Sequence, residues 1–366
     1  MKESLTLVAV LCWLALFPAT AQDSTHVADT TRKASFVGIP IVYFTPETQW
    51  AGGVAGVYTF RLDEPPHGDP ASQLQFGAAY TQLKQLLLYI SGRVYWGEHQ
   101  NIAYGEVGYY IYNYFYYGVG NQAPDNLEEL YGVTYPRIRL NYLRQVNDKW
   151  SWGPRYWFDG YRITQTTPGG ALAADTVVGS KGGVVSGLGL VANYDSRDNI
   201  FWPSEGAFLE ASALVNSPWL GSSFTYTRWS LDASYFYALP WGHRIAGNSW
   251  TEFTFGDTPF YDMPVIGGTK KMRGYYQGRF RDKHMSMLQL EYRAPLFWRI
   301  GLVGFTGIGV VGHSLGDLAN APLRSTYGLG ARIMYDRTNQ VNLRVDVGFG
   351  PESKGPAFYL TVGEAF

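Results

Sequence analysis

Apolar and polar residues alternate along most of this chain. From Val341 to Val347 the apolar positions are Val341, Leu343, Val345 and Val347, interleaved with Asn342, Arg344 and Asp346. Leu288, Leu290 and Tyr292 alternate with Gln289, Glu291 and Arg293, and Ile138, Leu140 and Tyr142 alternate with Arg137, Arg139 and Asn141. Between Arg244 and Phe255, one face carries Ile245, Phe253 and Phe255 and the other Arg244, Asn248 and Glu252. A period of two sends successive side chains to opposite faces, so these segments are strands with one apolar and one polar face.

Two architectures use such strands. A soluble sandwich turns the apolar face to its core, and a membrane barrel turns it to lipid around a wet lumen. The barrel is favoured by strands of about 10–12 residues, which suit a tilted membrane crossing. It is also favoured by aromatic clusters at strand ends: Tyr109-Tyr110, Tyr112, Tyr114 to Tyr117, Trp150, Trp152, Tyr156-Trp157 and Phe201-Trp202. These are expected to form interfacial girdles. Phe358, Leu360, Val362 and Phe366 are expected on one face of a last strand, interrupted by Glu364. The pattern predicts strands at 36–45, 50–61, 72–82, 85–96, 101–112, 133–145, 150–165, 184–195, 206–216, 223–239, 243–256, 285–295, 299–311, 323–335, 340–349 and 357–366. These sixteen segments, with fourteen as the neighbouring even count, predict an all-β fold: a 16-stranded antiparallel transmembrane β-barrel. Its long connections, 113–132, 166–183 and 257–284, fall on one end and short ones such as 146–149, 240–242 and 336–339 on the other, as expected for outer and periplasmic sides.

Targeting and composition narrow the setting. Leu5 to Phe17 is an apolar run of signal-peptide length, followed by the small-x-small site Ala19-Thr20-Ala21. Residues 1–21 are therefore expected to be a signal peptide, 22–35 a short periplasmic segment, and 36–366 the barrel in the outer membrane of a Gram-negative cell. The single Cys, Cys12, lies in the leader. That excludes a disulfide scaffold and a Cys-rich zinc site. A net charge of -1 argues against a nucleic-acid binder working by phosphate neutralisation.

Two motifs suggest chemistry that their context does not support. Gly312-His313-Ser314-Leu315-Gly316 matches G-x-S-x-G, but no strand–turn–helix of an α/β sheet is expected around it. Gly307-Ile308-Gly309-Val310-Val311-Gly312 matches G-x-G-x-x-G, with no helix expected to follow. The six histidines, His26, His67, His99, His243, His284 and His313, show no i,i+4 pair. No catalytic residue, metal or cofactor is expected.

Three stretches resemble a known family. The first is Tyr194-Asp195-Ser196-Arg197-Asp198-Asn199 with Pro203-Ser204-Glu205-Gly206. The second runs Gly267-Gly268-Thr269, Met272-Arg273-Gly274-Tyr275, Gly278-Arg279-Phe280-Arg281-Asp282-Lys283 and Glu291-Tyr292-Arg293. The third is Asn342-Leu343-Arg344-Val345-Asp346 with Gly348, and Gly363-Glu364-Ala365-Phe366. Together they resemble the BamA/TamA, or bacterial surface antigen, family of outer-membrane proteins, over about residues 36–366 and in the subset without POTRA modules. The resemblance implies a sixteen-stranded barrel whose sixth outer loop folds into the lumen. Met272, Arg273, Gly274 and Tyr275 would be its tip, locked by Glu291 on the next strand. Family members offer a second acid in a Phe-x-Asp sequence. Here it reads Phe305-Thr306-Gly307, which leaves either a weaker docking or Asp346 as a substitute. Asp195, Arg197 and Asp198 are expected to lock a periplasmic turn.

The function implied is outer-membrane biogenesis: insertion, assembly or translocation of outer-membrane proteins without nucleotide, through a weak seam between first and last strands. Pro40 and Gly363 would weaken that seam, and Phe366 closes it. Partners would be outer-membrane lipid, lipopolysaccharide and unfolded client proteins, with a monomeric barrel and no nucleic acid. The alternative is a plugged channel or structural barrel with no assembly activity.

Overall fold

The computed structural model describes residues 34–62, 71–98, 100–123, 127–336, 340–353 and 355–366. The expected signal peptide and nearly all of the segment 22–35 lie outside the described residues, as do His26, His67 and His99. Eleven strands follow one another: β1 (Ala34–Thr45), β2 (Gln49–Phe60), β3 (Ser72–Thr81), β4 (Leu86–Trp96), β5 (Asn101–Tyr116), β6 (Glu129–Gln145), β7 (Trp150–Gln165), β8 (Gly183–Asp195), β9 (Gly206–Asn216), β10 (Tyr226–Ala238) and β11 (Arg244–Gly256). A two-stranded hairpin, β12 (Val265–Ile266) and β13 (Phe280–Arg281), interrupts them. The series then resumes with β14 (His284–Phe297), β15 (Ile300–Gly312), β16 (Arg324–Asp336), β17 (Val341–Phe349) and β18 (Ala357–Val362). β14 pairs with β11 and β18 with β1, so sixteen antiparallel strands close into a barrel.

Exposure decides between sandwich and barrel. On β14 the apolar residues Leu288, Leu290 and Tyr292 are 53%, 50% and 48% exposed, while Gln289, Glu291 and Arg293 are almost wholly buried. On β17, Asn342, Arg344 and Asp346 are buried and Val345 is exposed. The polar face is the inside face. A soluble sandwich would show the opposite, whereas a barrel with an apolar outer wall requires this.

Three expectations are corrected by the strands themselves. Of the tyrosines at the top of β5, Tyr109 is exposed as a girdle requires, but most of the others are not. Tyr110, Tyr112 and Tyr116 point inward, where with Tyr131, Tyr135, Leu172 and Phe260 they make a buried cluster. Their rings stack on one another, Tyr110 on Tyr135 at 5.0 Å and Tyr135 on Tyr161 at 4.8 Å. Trp157 also faces the lumen, 4.4 Å from the Arg139 guanidinium. Trp150 and Trp152 stay outside and exposed. Second, β5 and β6 continue past the predicted ends at 112 and 133, paired from Asn101–Arg144 to Tyr116–Glu129. Sixteen residues of tilted strand rise about 40 Å, more than an apolar band of about 25 Å needs. The inward tyrosine stack supports the surplus. Third, the last strand stops at Val362, and the residues after it turn into the lumen.

The G-x-S-x-G match proves to be a helix start. Ser314 is the N-cap of α1 (Leu315–Asn320): its hydroxyl accepts the Asp317 N–H at 3.1 Å, and the Asp317 carboxylate accepts the Ser314 N–H. That capping box explains the serine without a nucleophilic role.

Candidate functional site

The connection between β11 and β14 enters the barrel and returns. Its backbone reverses at Gly267, Gly268, Gly274 and Gly278, all with positive φ, and at Met272 with φ +58. A non-glycine residue in the left-handed region costs roughly 1 kcal/mol or more, and surrounding contacts must hold it there. They do: Met272 N–H donates to the Gln289 side chain at 2.8 Å, and its side chain is buried among Ile266, Tyr275, Phe280, Met285, Met287 and Val311.

Arg273 is the centre of the arrangement. Its guanidinium donates to Glu291 on β14 and to Asp346 on β17, and lies 3.8 Å over the Phe305 ring on β15. All three charged side chains are essentially inaccessible to water. The absent Phe-x-Asp acid is thus replaced in space by Asp346, while Phe305 supplies an aromatic face. The network extends further. Arg293 donates to Glu291 at 2.8 Å, and Arg332 donates to Asp346 at 2.6 Å and to Glu364 at 2.8 Å. Each carboxylate of this network, Glu291, Asp346 and Glu364, therefore meets at least one guanidinium, which is what makes burying such charges tolerable.

Glycines fit the tip to the wall. At Gly274 (φ +121) a Cβ would lie 2.7 Å from the Phe349 carbonyl, and at Gly348 a Cβ would lie 2.7 Å from the Gly274 nitrogen. Loop and wall backbones meet where neither carries a side chain. Gly274 N–H donates to the Tyr359 hydroxyl at 3.0 Å. Tyr275 is fully buried, with its ring against Gly350 and its hydroxyl donating to Glu352, which Arg324 also holds at 2.7 Å.

The rest of the connection is seated on other walls. Tyr226 and Arg228 donate to Asp262, and Lys271 to Glu252 at 2.5 Å. The Gln277 N–H donates at 2.9 Å to Glu47, a buried acid in the β1–β2 connection. Glu47, Arg332, Tyr359 and Glu364 were not singled out from the sequence. The one visible signal was Glu364, a charge on a face otherwise read as apolar.

Residues 101–366 match the Omp85 superfamily domain. The chain belongs to the Omp85 superfamily. Among solved structures this Omp85 barrel is similar to BamA from Haemophilus ducreyi lacking POTRA domains 1–3, at 14% identity and a TM-score of 0.58, covering 90% of this chain and 70% of that one. It is similar to CdiB from Acinetobacter baumannii (15% identity, TM-score 0.57, 91% and 60% covered) and to CdiB from Escherichia coli (11%, 0.57, 90% and 62%). The chain therefore spans less than two thirds of either CdiB. No curated protein matches it. The Omp85 family and the barrel together make this an outer-membrane protein.

The remaining site residues of the Omp85 chain lie elsewhere. Asp195 accepts two guanidinium bonds from Arg197, at 2.9 and 2.6 Å, in the β8–β9 connection. Asp198 accepts the Ser204 and Glu205 N–H groups at 2.8 and 3.2 Å. Burial raises the Asp198 carboxyl, but these backbone donors outweigh it and hold the group below its usual value.

At the seam, Phe44 of β1 lies opposite Leu360 of β18. Carried along both strands, this register sets Val42 opposite Val362, where β18 ends. Pro40 lies on the stretch of β1 beyond that end. Gly363, at φ +81, turns the chain inward. Glu364 then reaches Arg332 and Asn342, the latter at 3.0 Å, and the Phe366 carbonyl accepts from Arg293 at 3.2 Å. Phe366 therefore contacts the lumen network instead of closing an outward aromatic face.

Proposed function

We propose that this barrel assists the assembly of outer-membrane proteins, using the β1–β18 seam as the place where an incoming strand pairs. One observation carries this reading: a twelve-residue β1 faces a β18 of six residues that is cut short by the Gly363 turn. An edge longer than its partner leaves backbone N–H and C=O groups free to template another strand. The loop tip, with Arg273, Gly274 and Tyr275 on Glu291 and Asp346, acts as the lock that keeps the β14–β18 wall rigid while the seam yields. Asp195, Arg197 and Asp198 hold the periplasmic turn between β8 and β9. Unfolded outer-membrane proteins are the clients, lipid and lipopolysaccharide the surroundings, and no nucleotide enters.

The test uses purified protein in liposomes. An unfolded outer-membrane protein should fold faster with it than in empty liposomes. Phe44 and Leu360, directly opposite, are replaced by cysteines. Oxidation should abolish the acceleration and reduction should restore it. Folding at the empty-liposome rate in both states would refute the assembly role.

A further inference from the structure

We propose that the lumen contains a second site, a cleft on β3–β7 that binds a small phosphate ester through Arg93. The cleft has a volume of about 420 Å³, within the range of roughly 300–1,000 Å³ typical of small-molecule sites. It lies below the tyrosine cluster, on strands remote from the loop tip, and this proposal is independent of the seam.

Strand register builds it. One rung crosses five strands from Gln73 through Arg93 and Tyr104 to Asn141 and Arg155. The next rung runs from Gln75 and Ser91 through Glu106 and Arg139 to Trp157. All of these side chains occupy lumen-facing positions, so the cleft is polar by construction.

The charges do not balance. Arg139 is paired with Asp159 at 2.5 Å and Arg155 with Glu210 at 2.5 Å. Arg137 binds Asp159 at 2.8 Å and lies 3.7 Å from Glu106. Arg93 has no carboxylate among the described residues. Its guanidinium lies 4.9 Å over the Tyr104 ring, which uses its face and leaves its edge donors free. Two residues of the lining also carry unused donors, Arg139 Nε and Trp157 Nε1, which lie buried beneath its surface without a hydrogen-bond partner. A buried donor left unsatisfied costs about 1–3 kcal/mol, and a guanidinium with no carboxylate among the described residues, in a polar cleft where two further arginines stand, suits a multi-oxygen anion. Glu106 also lines the cleft, but it already accepts the Tyr110 hydroxyl at 2.7 Å. Its second oxygen suits a hydroxyl of the ligand, and the Gln73 and Gln75 amides suit others. The chemistry is that of a phosphate bearing a small polyol, either as a free solute or as a lipid headgroup.

The experiment is calorimetric titration of the full chain in detergent micelles with glycerol 3-phosphate, with a short-chain phosphatidate, and with glycerol. Saturable binding of one or both phosphates, and none of glycerol, is expected. Preference for the soluble ester identifies a free solute, and preference for the phosphatidate a headgroup. Arg93→Gln should weaken binding about ten- to a hundredfold, with Arg93→Lys recovering part. Ser91→Phe, which fills the cleft and leaves Arg93 in place, should abolish it. Heat-modifiable electrophoretic mobility checks that each variant is folded. No saturable binding of either phosphate, or binding that neither folded variant changes, overturns the proposal.

Discussion

Arg273 is held between carboxylates from two strands and against an aromatic ring from a third, so removing it leaves two buried acids short of a partner. Arg273→Ala should destabilise the barrel by about 3–5 kcal/mol, the usual loss when a buried ion pair is broken from one side. Urea titration followed by electrophoretic mobility would measure it. Arg273→Lys should recover little, because a point charge cannot reach both acids as a planar fork does. Gly348→Ala tests the backbone fit without touching charge. Its Cβ would meet the Gly274 nitrogen, so the loop tip should lift and become a protease-sensitive site while the strands stay intact. Glu47 gives a pH signature. Loss of water raises its carboxyl above the usual range, and hydrogen bonds from Gln277, its own N–H and Thr45 pull it only partly back. A raised carboxyl binds its proton more tightly folded than unfolded. Stability is therefore greatest below the unfolded value and declines as pH rises through the folded one. Wild type should lose stability as pH rises above about 4, the unfolded value, relative to Glu47→Gln, which should be nearly flat. Equal slopes would show that Glu47 does not titrate in that window.

At the scale of elements, β18 and the residues after it do two jobs. The strand contributes its six residues to the wall, and the turn at Gly363 delivers Glu364 to Arg332 and Asn342. Gly363→Val should disfavour the left-handed turn and release Glu364. Cysteines placed at Glu364 and Asn342 should then crosslink poorly, whereas with Gly363 they should crosslink readily. The β5–β6 hairpin extends beyond what its sequence pattern predicts. Tyrosine suits both a lipid interface and a wet lumen, so Tyr109 to Tyr117 carries no binary pattern. Cross-strand pairing with Tyr131 and Tyr135 sorts the rings, and their stacking pays for the extra height.

At the scale of the whole molecule, the lumen is obstructed by the loop tip on one side and the tyrosine cluster on the other. Conductance of the wild-type barrel in planar bilayers should be small, and Arg273→Ala should raise it through more frequent loop displacement. A large steady wild-type conductance would favour the plain channel over an assembly role.

The sequence alone determined that the chain is built of two-faced strands and how they follow one another, because a period of two with long and short connections in alternation is a local property. The resemblance carried by Met272-Arg273-Gly274-Tyr275 and Glu291 also pointed to the loop tip. Tertiary structure decided the rest. Asp346 lies 73 residues from Arg273, on a strand three places along the wall from β14, and only the entry of the loop into the lumen brings Arg273 to both acids. The inward turn of Glu364 and Phe366 depends on one backbone angle at Gly363, and that Arg93 meets no carboxylate among the described residues depends on which acids the other arginines take. Charge pairing inside a closed barrel is settled by register between distant strands, which no local pattern encodes.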